Sequence, residues 1–149
     1  LKDIKQGVEE LGVMFEKFDR SPMESRVFAY LLLADPPHQS FDAIREFLDA
    51  SKSAVSNALN RLQSEGTVHY ITFSGDRKRY FKVNTSAWYE RLIDSAKNLA
   101  AFNHLLEEVL RYRADSLHVN FTNDLKKLLD FQEFLTVEIE KSIAKWKAG

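Results

Sequence analysis

From Ser51 to Val83 the chain reads SKSAVSNALNRLQSEG and then TVHYITFSGDRKRYFKV. Few folds accept a short helix, a glycine stop and a β-hairpin with a basic tip in that order. Ser51 is a good N-cap, because its side-chain oxygen can accept from the free N–H groups of a first helical turn. Gly66 is a good stop, since glycine enters the left-handed conformation after a helix without steric cost. Val55, Leu59 and Leu62 recur at helical spacing and mark a buried face. Ser53, Asn57, Asn60 and Ser64 fall on the opposite side, with Ser56 and Arg61 on its flanks. A merely solvated face would more often carry Glu and Lys.

That outward face suits the edge of a base pair. Asparagine can pair bidentately with adenine, and serines serve bases or phosphates. The segments Thr67 to Phe73 and Arg79 to Val83 are rich in β-branched and aromatic residues, and Ser74-Gly75-Asp76 supplies the turn between them. Arg77, Lys78 and Arg79 sit at or beside the tip, where cations can reach phosphates or a minor groove. Two plainer readings stay open: a surface helix of moderate propensity, and an edge strand kept soluble by charge.

Charge at first argues the other way, with 21 Lys and Arg against 22 Asp and Glu, a net of −1. The distribution resolves this. Between Ser51 and Val83 lie six basic residues (Lys52, Arg61, Arg77, Lys78, Arg79, Lys82) and two acidic ones (Glu65, Asp76), a local +4 that leaves −5 elsewhere. Positive charge is concentrated where a polyanion would bind, and an acidic remainder discourages indiscriminate binding.

Upstream residues complete the domain. Ser21-Pro22-Met23-Glu24 combines an N-cap, a first-turn proline and a Glu three residues after the cap. The helix it opens, with Val27, Phe28, Leu31 and Leu32 as its apolar side, should end before Pro36-Pro37. Ser40 caps a second helix with Phe41, Ile44, Phe47 and Leu48 inward, and Asp49-Ala50 is the tight turn into the helix at Ser51. Helix, helix, turn, helix, hairpin is the winged-helix order. The expected class is mainly α with a small β-hairpin (α+β), a winged helix-turn-helix domain flanked by terminal helices.

Those flanks carry long stripes. Ile4, Val8, Leu11, Phe15 and Phe18 repeat near the start. Leu92, Ala96, Leu99, Leu106 and Leu110 follow the hairpin, then Phe121, Leu125, Leu128, Leu135, Ile139 and Ile143. Such stripes suggest coiled-coil-like pairing, between chains or back onto the chain's own domain. A break between two helices is expected within Arg113 to Asn123. The division expected is 1–20, an N-terminal dimerisation helix; 21–85, the winged helix-turn-helix; and 86–149, a C-terminal helical dimerisation and effector region. Leu11, Phe15, Leu128, Leu135, Ile139 and Ile143 are the dimerisation candidates.

Catalysis finds no footing. The chain has no nucleophile-elbow, P-loop, dinucleotide or zinc-protease motif and no cysteine, while His38, His69, His104 and His118 are scattered as surface or packing residues. Glu9-Glu10 and Glu107-Glu108 are adjacent, so both members cannot face one site from a helix. No enzyme activity, metal or cofactor is expected. With no membrane-length apolar run and no signal-peptide pattern, a cytoplasmic protein that does not engage membranes is expected, and Asn84-Thr85-Ser86 and Asn120-Phe121-Thr122 are chance glycosylation matches. A chain beginning at Leu1 is expected to have had its true N-terminus trimmed or left out.

The run from about Ser21 to Val83, carried by SKSAVSNALNRLQSEG and GDRKRYFKV, resembles the winged-helix domain of the multiple-antibiotic-resistance regulator (MarR) family. LKKLLDFQEFLTVEIEKSIAKW is similar to the end of its glycine-betaine-regulator (GbsR-like) branch. The helix-turn-helix turn departs from the frequent pattern, with Asp49-Ala50 where glycine is common. Asp visits the left-handed region more readily than most residues. The resemblance implies a homodimeric bacterial transcription factor whose DNA affinity responds to a small molecule.

The DNA-contact candidates are Ser51, Lys52, Ser53, Ser56, Asn57, Asn60, Arg61, Arg77, Lys78 and Arg79, and the partner is a pseudo-palindromic duplex. Trp88 and Tyr89, beside Glu90, are effector candidates, because aromatic faces near a carboxylate suit a cationic or quaternary-ammonium ligand. These aromatics, with Phe102, Tyr112, Phe131 and Phe134, can equally fill a core or dimer seam. A winged-helix protein-interaction module without DNA binding is the alternative.

Overall fold

The computed structural model describes residues 3–149. The elements are α1 (Ile4–Glu16), α2 (Pro22–Leu33), β1 (Gln39–Ser40), α3 (Phe41–Leu48), α4 (Lys52–Ser64), β2 (Val68–Ile71), β3 (Tyr80–Val83), α5 (Thr85–Tyr112) and α6 (Val119–Ala148). The chain divides into two compact units, Leu1–Trp88 and Tyr89–Gly149, with the boundary inside α5.

Local chemistry sets the helix ends of the first unit. Ser21, Ser40 and Ser51 each accept the N–H of the residue three positions on, at 3.2, 3.1 and 3.1 Å. Pro22 opens α2, where a missing N–H removes nothing. Asp49 closes α3 at φ 46, the left-handed position that the tight turn requires. Gly66 takes φ 76 just after α4. Removing one such cap, as in Ser21→Ala, is expected to cost about 1 kcal/mol, read as a lower midpoint in thermal unfolding.

The core forms where the apolar faces of these elements meet. Val27, Phe28 and Leu31 of α2, Ile44 of α3, Val55, Leu59 and Leu62 of α4, and Val68, Phe81 and Val83 of the sheet are buried together. Val8 of α1 joins them. Arg26 of α2 ties α1 down, donating to Glu9 at 3.0 Å and to Glu16 at 2.6 Å. Gly12 leaves room for that side chain, since a Cβ there would lie 3.2 Å from Arg26 Cγ.

The sheet is antiparallel in the order β1–β3–β2. Ser40 pairs with Tyr80 on one side of β3 and Ile71 pairs with Tyr80 on the other. Strand β1 was not foreseen, because two residues carry no readable alternation. The hairpin strands are also shorter than expected, leaving residues 72–79 as an exposed tip.

In the second unit α5 and α6 run antiparallel, joined after the break expected between residues 113 and 123. Arg113 holds the turn, donating to Thr122 Oγ1 and Ser116 Oγ and covering the ring of Phe121 at 4.7 Å. The inner face of α6 follows Thr122, Leu125, Leu129, Gln132, Thr136, Ile139 and Ile143, alternating steps of three and four, all buried or half-buried. Its middle is polar. Asn103 Nδ2 donates to Thr136 Oγ1 at 3.1 Å, and Thr136 in turn donates to the Gln132 carbonyl at 2.8 Å. Asn103 Oδ1 and Gln132 Oε1 are buried without a partner among the described residues. On its other faces α6 exposes Phe121, Leu128, Phe131, Phe134 and Val137.

Candidate nucleic-acid interface

Helix α4 presents the outward face that its periodicity implies. Lys52, Ser53, Asn57, Asn60 and Ser64 are exposed, Ser56 is half-buried, and Val55, Ala58, Leu59 and Leu62 point inward. The side-chain oxygen of Ser51 accepts the Ala54 N–H at the cap and lies 3.4 Å from the Ser53 hydroxyl. Arg61 is exposed but engaged: its Nε lies 3.5 Å from Glu65 and 3.8 Å from Glu24. Glu65 also pairs with Arg20 at 3.0 Å. A phosphate would have to compete with these carboxylates for Arg61.

The hairpin tip places Arg77, Lys78 and Arg79 in solvent. Asp76 organises them. Its Oδ1 accepts the Lys78 N–H at 2.9 Å, and its Oδ2 accepts the Tyr80 hydroxyl at 2.6 Å. Gly75 turns the chain at φ 82, and the Asp76 N–H reaches the Phe73 carbonyl at 3.1 Å. The Tyr80 hydroxyl, and after it the Lys78 N–H, holds the Asp76 carboxyl below its ordinary range. The same bond raises the Tyr80 phenol. Protonating Asp76 breaks the arrangement only below the usual carboxylate range, and ionising Tyr80 only above the usual phenol range. Neither titration falls at neutral pH.

One groove gathers residues from both parts. Ser40, Phe41, Asp42, Arg45, Lys52, Lys78, Arg79 and Phe81 line a depression of ≈ 340 Å³. Four cations and one carboxylate make it an anion-attracting surface between the start of α4 and the hairpin. Arg45 is the member that sequence reasoning missed. It sits on α3, and its Nε reaches the Ala50 carbonyl at 3.4 Å, across the turn into α4. Arg79 is steadied by Tyr70, whose ring centroid lies 5.4 Å from the guanidinium. Arg77 does not line the groove.

The other candidates are dispersed. Leu11 and Phe15 pack against the first unit's own core, Phe15 meeting Phe28 edge-on at 4.9 Å. Leu128 is 41% exposed on α6, and Leu135 is half-buried. Ile139 and Ile143 line an apolar groove in the second unit with Tyr89, Ile93 and Trp146. Trp88 packs edge-on against Phe28 at 5.5 Å in the first unit. Trp88 and Tyr89 thus have separate surroundings. Among the described residues no three or more metal-ligating side chains cluster, and no helix is long and apolar enough to cross a membrane.

No family model matches the chain. It is 27% identical over 114 residues to the HTH-type transcriptional regulator MmpR5 of Mycobacterium tuberculosis, spanning 76% of this chain and 69% of that protein. It superposes on the crystal structure of a transcriptional regulator with a TM-score of 0.70 and 22% identity, over 99% of each chain. NMB1585, a MarR family regulator from Neisseria meningitidis, aligns over 95% of this chain and 92% of its own with a TM-score of 0.42, too loosely to carry weight. The chain has the winged-helix fold, set in a mainly helical protein with a small three-stranded antiparallel sheet.

Proposed function

We propose that this protein is a sequence-specific DNA-binding transcriptional regulator of the MarR type that acts as a homodimer. The observation that carries the reading is the shared groove, in which Lys52 of α4 and Lys78 and Arg79 of the hairpin flank one anion-attracting surface. On the outward face of α4, Asn57 and Asn60 stand exposed. In this reading α4 lies in the major groove, Asn57 and Asn60 read base edges, and Arg45, Lys52, Arg77, Lys78 and Arg79 neutralise phosphates. The 27% identity to MmpR5 supports the regulator class. The glycine-betaine-like branch rests on the C-terminal resemblance and a small-molecule effector on that together with the aromatics beside Glu90; Tyr89 in the apolar groove is the residue through which an effector would be sought.

Selection of bound duplexes from a random pool tests the reading. The wild-type protein is expected to enrich a pseudo-palindrome, with Asn57→Ala and Asn60→Ala each losing roughly 1–3 kcal/mol on it and relaxing preference at particular base pairs. A pool that emerges unenriched would leave the winged-helix interaction module as the better description. Weaker binding with an unaltered preferred sequence would reduce the two asparagines to positioning the helix.

A further inference from the structure

The tip of the hairpin contains an acid among its cations, and the DNA reading alone does not explain it. Asp76 precedes Arg77, Lys78 and Arg79 directly, and its charge weakens any attraction for phosphate. Residues 72–79 have no strand pairing, so a free tip would have to be ordered at each binding event. Fixing the backbone of such a tip costs conformational entropy that the phosphate contacts must offset.

The geometry around Asp76 answers this. Its two carboxylate oxygens join the Lys78 N–H to the Tyr80 hydroxyl, bridging the middle of the tip to the first residue of β3. Tyr80 is itself anchored. Its ring meets Phe73 edge-on at 5.2 Å and His38 edge-on at 5.4 Å, and His38 meets Phe73 at 4.9 Å. His38 comes from the loop before β1, so the cluster fastens the hairpin to the body of the domain at the point where Ser40 pairs with Tyr80. We propose that Asp76 and Tyr80 form a positioning latch, which holds Lys78 and Arg79 over the groove with Arg45 and Lys52 before DNA arrives. The latch rests on the DNA-binding reading for its purpose, but not for its existence.

Two variants with the same charge change separate the latch from electrostatics. Asp76→Asn removes the charge and keeps both hydrogen bonds: its amide oxygen accepts the Lys78 N–H, and its amide nitrogen donates to the Tyr80 oxygen. Asp76→Ala removes charge and bonds together. Binding to a short random-sequence duplex is measured across a salt series with the full chain. Asp76→Asn is expected to bind at least as tightly as the wild type, and Asp76→Ala about three- to tenfold more weakly than Asp76→Asn, a range within that for re-ordering one side chain. Tyr80→Phe keeps the ring and every charge; it should lower affinity to the same degree with an unchanged salt slope, because no phosphate contact is lost. Amide order parameters of residues 74–79 in the free protein should fall in Asp76→Ala and Tyr80→Phe and stay high in Asp76→Asn, with unfolding midpoints little altered.

Equal affinities for Asp76→Ala and Asp76→Asn would overturn the latch, as would unchanged tip order in Tyr80→Phe. Should the wild type bind no duplex at all, the DNA reading would fall by itself, and the order parameters would still decide whether the latch exists.

Discussion

Replacing Arg77, Lys78 and Arg79 together with alanine is expected to abolish tight binding to every duplex, cognate or not. All three side chains are exposed, and two line the groove beside Lys52 and Arg45. None supports the core, so the loss is one of phosphate contacts. Each contact released flattens the dependence of log affinity on log salt by about 0.9, and three per protomer in a dimer flatten it by roughly 5. A salt titration therefore separates this variant from Asn57→Ala, whose slope should not move. Retention of both affinity and slope in the triple variant would remove the hairpin from the mechanism.

Leu128→Glu is expected to dissociate the proposed dimer and with it specific binding. Leu128 is already solvent-facing in the single chain, on a helix that also exposes Phe121, Phe131 and Phe134. A glutamate there costs the isolated chain little, whereas in a seam between two copies it buries an unpaired charge. Leu135→Glu is the harsher probe, because Leu135 is half-buried within the chain. A two-fold dimer sets its recognition helices roughly 34–36 Å apart, so a monomer should lose the pseudo-palindromic preference. Light scattering that reports a monomer which still binds its selected site tightly would refute the arrangement.

What was readable in the sequence was what is local. Ser21, Ser40, Ser51 and Gly66 act within four residues of where they stand, and the inward stripe of α4 is a matter of spacing. Nothing local announces Arg45 as part of the binding surface, because the residues it joins lie on α4 and the hairpin. The latch is hidden for the same reason: His38 is some forty residues from Tyr80, and β1 is only two residues long. The long helices are hard to read for another reason. Apolar residues on α6 occupy more than one face, so a stripe read from Phe121 through Ile143 mixes positions turned to α5 with positions turned to solvent. At the buried positions stand Thr122, Thr136 and Asn103, whose polarity conceals them from any search for hydrophobic periodicity.

That polar layer also settles alignment. A seam of leucines repeats every seven residues and can be satisfied again after a slip of one heptad. Asn103 forbids this, because sliding α6 by seven residues either way would set its amide opposite Leu129 or Ile143, and neither offers an acceptor. A buried amide N–H deprived of its bond costs about 1–3 kcal/mol, which a misaligned pairing would add to the unpartnered Asn103 and Gln132 oxygens that the observed one already carries. The Asn103–Thr136 bond therefore works as a key for pairing α5 with α6, giving up some of the stability that leucine would supply in exchange for a single alignment.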